Sequence, residues 1–305
     1  MLRLSILMLA ITATVGWLPI KLAAAEEKAE KPARAKRAER AGKKAARGPQ
    51  WHLAMQAYTY HKQTLFDAID NTRALGIRYL EAFPGQKIRK DKDVRFTPDI
   101  SPEVMDEVKK KLDDSGIKLV NYGVVDLGKD EASARKVFEF ARKMGIRTIV
   151  AEPDAGLFDT LDKLTGEYDI RVAIHNHPKP SKYWNPQLVL DAIKGHSRRI
   201  GSCADTGHWP RSGVDPLEAL KKLSGHIISL HFKDLNELNQ PDAHDVPWGT
   251  GKCDAKAMLE ELKKQGFSGV FSIEYEYNWD KANPEIEKCV KWFHATAGEL
   301  GVPSD

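Results

Sequence analysis

The sequence predicts a single-domain α/β fold, a (β/α)8 TIM barrel, on three observations. Eight short β-rich runs alternate with stretches of helical periodicity. Residues 50–305, which carry them, have the length of one such barrel. Ionisable residues gather where the later runs end, and a parallel barrel presents its chemistry at that face. An open, doubly wound sheet is the other reading of the same alternation.

The runs are "LAMQAY" (53–58), "IRYLEAF" (77–83), "IKLVNYGVV" (117–125), "IRTIVAE" (146–152), "IRVAIHNH" (170–177), "IGSCAD" (200–205), "HIISLHFK" (226–233) and "GVFSIEYE" (269–276). Helical stretches separate most of them. "SPEVMDEVKKKLDDSG" has Ser101 as a cap, Pro102 at the first helical position and Gly116 as a stop. "DEASARKVFEFARKMG" and "DAKAMLEELKKQG" end in Gly145 and Gly266 in the same way. "WGTGKCD" (248–254) lacks the spacing of a phosphate loop and reads as a turn before the last helix, or as a lid.

The first 49 residues do not belong to this pattern. Residues 1–25 have the three parts of a secretory signal: Arg3, an apolar run and Ala23-Ala24-Ala25. Gly16, Pro19 and Lys21 break the run, which argues against a retained span. Residues 26–49 contain no large apolar residue and read as a charged, disordered spacer. The expected location is periplasmic or secreted, with no stable membrane insertion once the signal is removed.

Charge and cysteine usage narrow the function. Residues 1–25 carry +2, and residues 26–49, with nine Lys/Arg and four Glu, carry +5. The whole chain is +4, so residues 50–305 carry −3. That balance shows no nucleic-acid footprint, and no nucleic-acid partner is expected. Cys203, Cys253 and Cys289 do not make a disulfide framework, so stability rests on core burial.

The strand-end residues carry the chemistry. The fourth run ends in Glu152 and the fifth in His175-Asn176-His177. The sixth ends in Asp205, with His208 soon after. The seventh holds His231 and Lys233, and the eighth holds Glu274 and Glu276. Side chains two apart on a strand share a face. A lone strand-end His is more often a hydrogen-bonded loop residue, and a lone Glu is often a cap partner. Five consecutive strands ending in Glu, His, Asp, His and Glu converge on one axis, however, and that many unpaired ionisable groups are costly to bury. One divalent metal ion resolves the cost, and mixed His/carboxylate ligation suits Mn, Zn, Co or Mg. Tyr58, Tyr60, Phe83, Trp209 and Trp248 lie near strand ends, where they either stack on a sugar or pack the rim.

"VAIHNHP", "ADTGHW", "LHFKD", "VPWGTG" and "FSIEYE", in that order, resemble the sugar phosphate isomerase/epimerase family with its xylose-isomerase-like TIM barrel. The similarity covers most of residues 51–295. It implies a small carbohydrate substrate and one divalent metal held by Asp205, His231 and Glu274. His175 stands where many members carry a ligand carboxylate, and Glu152 is placed to restore one as ligand or base. His208 is implied to contact substrate.

"MQAYTYHK", "YLEAFPGQK", "IHNHPKPSKYW", "GHWPRSG" and "FSIEYEYNW" resemble, more narrowly, secreted or periplasmic 3-keto-glucoside lyases. That resemblance implies elimination, with Glu152 or Glu276 as base, His177 or His208 as acid, and Lys233 holding enolate charge. An isomerase or epimerase acting on a free ketose or aldose, and a non-catalytic sugar-binding barrel, are the alternatives. The sequence leaves the oligomeric state open.

Overall fold

Eight parallel strands close into a barrel in the computed structural model of the protein, which describes residues 48–305. The expected export signal and most of the charged spacer lie outside the described residues. The barrel strands are β1 (Trp51–Gln56), β2 (Tyr79–Ala82), β5 (Lys118–Val125), β6 (Thr148–Ala151), β7 (Arg171–His175), β8 (Ile200–Asp205), β9 (Ile227–Phe232) and β10 (Gly269–Ile273). They pair in the order β1-β10-β9-β8-β7-β6-β5-β2, and β2 pairs with β1 to complete the ring. This is the (β/α)8 architecture that the alternation predicts, not an open sheet.

The helices are α1 (Leu65–Ala74), α2 (Pro102–Ser115), α3 (Glu131–Met144), α4 (Phe158–Tyr168), α5 (Pro186–Ala192), α6 (His208–Arg211), α7 (Pro216–Lys222), α8 (Ala255–Lys264) and α9 (Asn283–Glu299). Local chemistry sets their ends. Ser101 accepts a hydrogen bond from the Val104 N–H and opens α2, and Gly116 closes it at φ 67°. Asp130 caps α3 through the Ser133 N–H, and Gly145 ends it at φ 74°. The buried faces of α2 (Met105, Val108, Leu112) and α3 (Val137, Phe138, Ala141) recur at the three-to-four spacing of an amphipathic helix.

Two departures from the sequence reading have physical causes. The first run is displaced: pairing ends at Gln56, because its side chain accepts the Tyr58 N–H and starts a 3-10 turn over Ala57–Tyr60. An unexpected hairpin, β3 (Lys87–Arg89) with β4 (Lys92–Arg95), follows β2. Its strands are short, charged and largely exposed, so they leave no hydrophobic period to read. Pairing also stops before several functional residues. Glu152, His177, Lys233, Glu274 and Glu276 follow their strands rather than lying within them.

Candidate active site

The inward positions of the strands build the site in layers. Below the mouth lie small side chains: Cys203, Ser229 and Ser272, all buried. Two residues further along the same strands come Asp205, His231 and Glu274. Small residues below leave room for ionisable ones above.

Each ligand candidate is fixed by its neighbours. Asn176 and Asp205 exchange hydrogen bonds: Asn176 Nδ2 donates to the Asp205 carbonyl at 3.0 Å, and the Asp205 N–H donates to Asn176 Oδ1 at 2.8 Å. This clamp ties the end of β7 to the end of β8. Asp205 Oδ1 accepts the N–H groups of Gly207 (2.9 Å) and His208 (2.7 Å). Oδ2 is buried and turned to the cluster, with the Lys233 ammonium 2.9 Å away. His175 Nε2 lies 3.5 Å from that oxygen and 3.1 Å from His231 Nδ1. His231 Nδ1 lies 3.0 Å from Glu274 Oε2.

The far side of His231 decides what this arrangement means. Its Nε2 faces Glu81 Oε1 at 2.8 Å and so carries a proton. In the neutral ring Nδ1 is then a lone pair. It points at a carboxylate oxygen and at a second imidazole nitrogen, about 3 Å from each. A cation satisfies such atoms together, and one, the Lys233 ammonium, already lies 2.9 Å from Glu274 Oε2. Burial opposes a charge on His231, but Cys203, Glu274 and Glu81 outweigh it and raise its pKa well above the ordinary histidine value. His175 Nε2, His231 Nδ1, Asp205 Oδ2 and Glu274 Oε2 therefore fit a divalent ion, with Glu81 orienting His231 from behind.

His208 forms with His175, Asp205 and Glu274 a group close enough to hold one ion, its Nε2 lying 3.6 Å from Asp205 Oδ2. Its chemistry differs. Arg211 Nη1 donates to His208 Nδ1 at 3.1 Å, and a guanidinium has no acceptor to offer. The neutral ring thus carries its proton on Nε2 and presents a donor rather than a ligand lone pair. Burial holds the His208 pKa well below the ordinary histidine value. It therefore acts as a neutral hydrogen-bond donor.

Lys233 is buried among three carboxylates: Asp205 Oδ2 and Glu274 Oε2 at 2.9 Å each, and Glu276 Oε2 at 2.7 Å. Burial would depress its pKa, but those carboxylates raise it well above the usual lysine value. Gly207 makes room for it, since a Cβ there would lie 2.7 Å from Lys233 Cδ. Burial also works against ionisation of Asp205 and Glu274. Lys233 and the neighbouring histidines override that and hold both carboxyls well below the usual range.

Glu152 lies on the outer side of His175, in a second group with His175 and His177. Its Oε1 is 3.9 Å from His175 Nδ1 and accepts from His177 Nδ1 at 2.5 Å and from the His177 N–H at 3.2 Å. Its Oε2 accepts from Ser181 Oγ at 2.8 Å. Despite partial burial, these hydrogen bonds lower its pKa. The residue is engaged by His177 and Ser181, and His175 Nδ1 beside it has no hydrogen-bond partner. His175 is 1% exposed and His177 47%, so the first faces the ligand set and the second faces the cleft.

Tyr58, Phe83, Val124, His177, His208 and Glu276 line a cavity of about 530 Å³ over this cluster. Tyr58 and Phe83 meet edge to face at 5.3 Å and form its aromatic wall. Tyr60, Trp209 and Trp248 are buried in the hydrophobic core instead. The "WGTGKCD" stretch is a pinned turn: Asp234 accepts from the N–H groups of Gly249, Gly251 and Cys253 at 2.9, 2.9 and 3.0 Å.

Three residues here escape a reading of strand ends. Glu81 is fully buried inside β2 and accepts from Gln56, Asn121 and Ser272 as well as facing His231. A carboxylate within "YLEAF" was its only signal. Arg211 and Asp245 flank Glu276: Arg211 Nη1 lies 3.3 Å from Glu276 Oε2, and Asp245 Oδ2 accepts the Glu276 N–H at 2.8 Å.

Residues 69–296 match the xylose isomerase-like TIM barrel family. An inosose dehydratase from Lacticaseibacillus casei is 32% identical over 147 residues, 43% of this chain and 49% of that protein. The chain thus spans about half the length of the curated relatives it matches. An uncharacterised protein from Parabacteroides distasonis is 35% identical, with a TM-score of 0.66 over 80% of this chain and 98% of its own. A zinc-bound IolI protein shares the fold at 19% identity, with a TM-score of 0.60 over 81% and 98% of the two chains. The chain belongs to the xylose isomerase-like TIM barrel family.

Proposed function

We propose that this chain is a divalent-metal-dependent sugar enzyme that cleaves 3-keto-β-glucosides by 1,2-elimination. The products are 2-hydroxy-3-keto-glucal and the freed alcohol. The observation that carries the reading is the separation of roles at the mouth. Glu152 is tied to His177 and Ser181, and His175 stands in the ligand cluster. Glu276, whose Oε2 meets Lys233 and Arg211, lines the cavity beside the aromatic wall outside that cluster and keeps Oε1 for substrate. Elimination needs one base at carbon and one acid at the neighbouring oxygen, and it needs no second carboxylate base.

His175, Asp205, His231 and Glu274 would hold a divalent ion, which would supply Lewis acidity toward the sugar's carbonyl oxygen. The protein's own groups do the rest. Glu276 takes the proton from C2, which the C3 ketone has made acidic. The C2–H electrons form the C1=C2 bond, and the C1–O bond breaks. His177, doubly protonated with its Nδ1–H held by Glu152, delivers its Nε2 proton to the departing oxygen and is left as the neutral ring. The His208 Nε2–H offsets the negative charge that builds on the sugar oxygens, while buried Lys233 is engaged by Asp205, Glu274 and Glu276. Tyr58 and Phe83 offer the ring an apolar face.

The relatives support this chemistry by their names. The inosose dehydratases are named for loss of water, an elimination, and a protein of the same fold at 12% identity is named a probable 3-DHS dehydratase. A second reading, isomerisation or epimerisation of a free sugar, draws on Glu274 and Glu276 lining one cavity. It also draws on a 31% match over 103 residues to an L-ribulose-5-phosphate 3-epimerase from Salmonella paratyphi A. Export of the enzyme to the periplasm or beyond, expected from residues 1–25, belongs to the proposal.

The test is incubation of metal-loaded protein with nitrophenyl 3-keto-β-glucoside and, separately, with free ketoses. The expected result is release of nitrophenol and an unsaturated keto-sugar, with the ketoses unchanged. Conversion of the ketoses with the glucoside untouched supports the second reading and overturns the first.

A further inference from the structure

We propose that a second lobe of the cleft is the leaving-group subsite and that it takes a sugar, so that the substrate is a 3-keto-glucosyl saccharide. The inference rests on the elimination reading above and adds the class of leaving group.

The cleft has two lobes. The first, over the ligand cluster, contains the aromatic wall. The second, of about 390 Å³, is lined by Asp126, Lys129, Glu152, Asp154, His177 and Lys182 among others. Both volumes are of the size that holds a small molecule. Val124 and His177 line both lobes. His177 therefore stands at the junction, with its Nδ1 occupied by Glu152 and its Nε2 left for a ligand. In a glycoside the junction between two rings is the bridging oxygen. A keto-sugar over the ligand cluster puts that oxygen at His177 and the leaving group in the second lobe.

The lining of that lobe selects the chemistry of its occupant. Among the described residues no Phe, Tyr or Trp lines it, so a flat aglycone finds little to stack on. Three carboxylates against two lysines disfavour an anionic group such as a phosphate. A neutral polyhydroxylated group suits it, because each hydroxyl both donates and accepts. The donors are partly in place beforehand. Lys182 is held by an ion pair with Asp154 and donates to the Glu152 carbonyl at 3.4 Å. Lys129 has no ion-pair partner within 4 Å among the described residues and keeps its three N–H donors for a ligand. Asp126 accepts the Gly128 N–H through Oδ1, and Oδ2 remains as an acceptor.

The experiment compares two substrates with the same 3-keto-glucosyl group: one carries glucose as leaving group and the other carries nitrophenol. Wild-type turnover of the nitrophenyl compound tests the elimination reading alone. The subsite is tested by the double variant Lys129→Ala/Lys182→Ala, shown by its melting curve to be folded. Losing two hydrogen bonds of ordinary strength corresponds to roughly tenfold in kcat/KM. The proposal expects kcat/KM for the glucosyl substrate to fall at least about fivefold further than for the nitrophenyl one, mainly through KM. Equal losses on the two substrates, or a greater loss on nitrophenol, overturn it while leaving the elimination reading intact.

Discussion

At the scale of single residues, the site is a set of side chains whose second atoms are already engaged. Asp205 spends Oδ1 on two backbone N–H groups, and His231 turns Nε2 to Glu81. Each is left with one atom facing the cluster. Two predictions follow from that division. Asp205→Ala should abolish metal binding and activity together, read by metal analysis after dialysis and by turnover. Glu81→Gln touches no proposed ligand position, yet it should weaken metal affinity about 10- to 100-fold, because an oriented imidazole binds better than a free one. Competition against a chromogenic chelator measures it, and an unchanged affinity would show that Glu81 does not position His231. The ligand candidates were legible in the sequence because they end consecutive strands. Glu81 was not, since one carboxylate inside an apolar run gives no sign of what lies across the barrel. The tautomer of His208 was equally hidden, because it depends on Arg211 reaching back three residues along α6.

At the scale of elements, strand ends and their following loops set the geometry. The loop after β9 carries Asp245, whose Oδ2 accepts the Glu276 N–H and so fixes the proposed base. Asp245 is fully buried. Burial pushes its pKa up to about 7, although Lys233 and Arg211 pull the other way. An unfolded Asp titrates near 3.9, at about pH 4. Between about pH 4 and 7 the unfolded chain has released this proton while the folded one keeps it, so the group erodes stability as pH rises through that window. Asp245→Asn keeps the acceptor and removes the titration. Urea midpoints of variant minus wild type should therefore increase from pH 5 to pH 7, and a difference that stays flat would contradict the assignment. Helix ends were readable at this scale because capping is local: Ser101, Gly116, Asp130 and Gly145 act within one turn. The β3–β4 hairpin was not, since its short charged strands bury almost nothing that a sequence pattern could register.

At the scale of the whole molecule, the eightfold alternation and the chain length were enough to indicate closure, since each parallel strand needs a crossover helix. The core of the described residues draws on all the barrel strands, and its three cysteines are free and buried. No helix among the described residues is long and apolar enough to cross a membrane. A chain shortened to begin at Gln50 should keep its melting temperature within about 2 °C and its activity within about twofold, because residues 26–49 hold no large apolar side chain to bury. The central claim, that this barrel mouth breaks a glycosidic bond by elimination, is tested most directly by product analysis in ¹⁸O-labelled water. Metal-loaded protein acting on a 3-keto-β-glucoside should give, as first product, 2-hydroxy-3-keto-glucal with no solvent oxygen at C1. Solvent ¹⁸O at C1 of that first product would identify the reaction as hydrolysis and contradict the account.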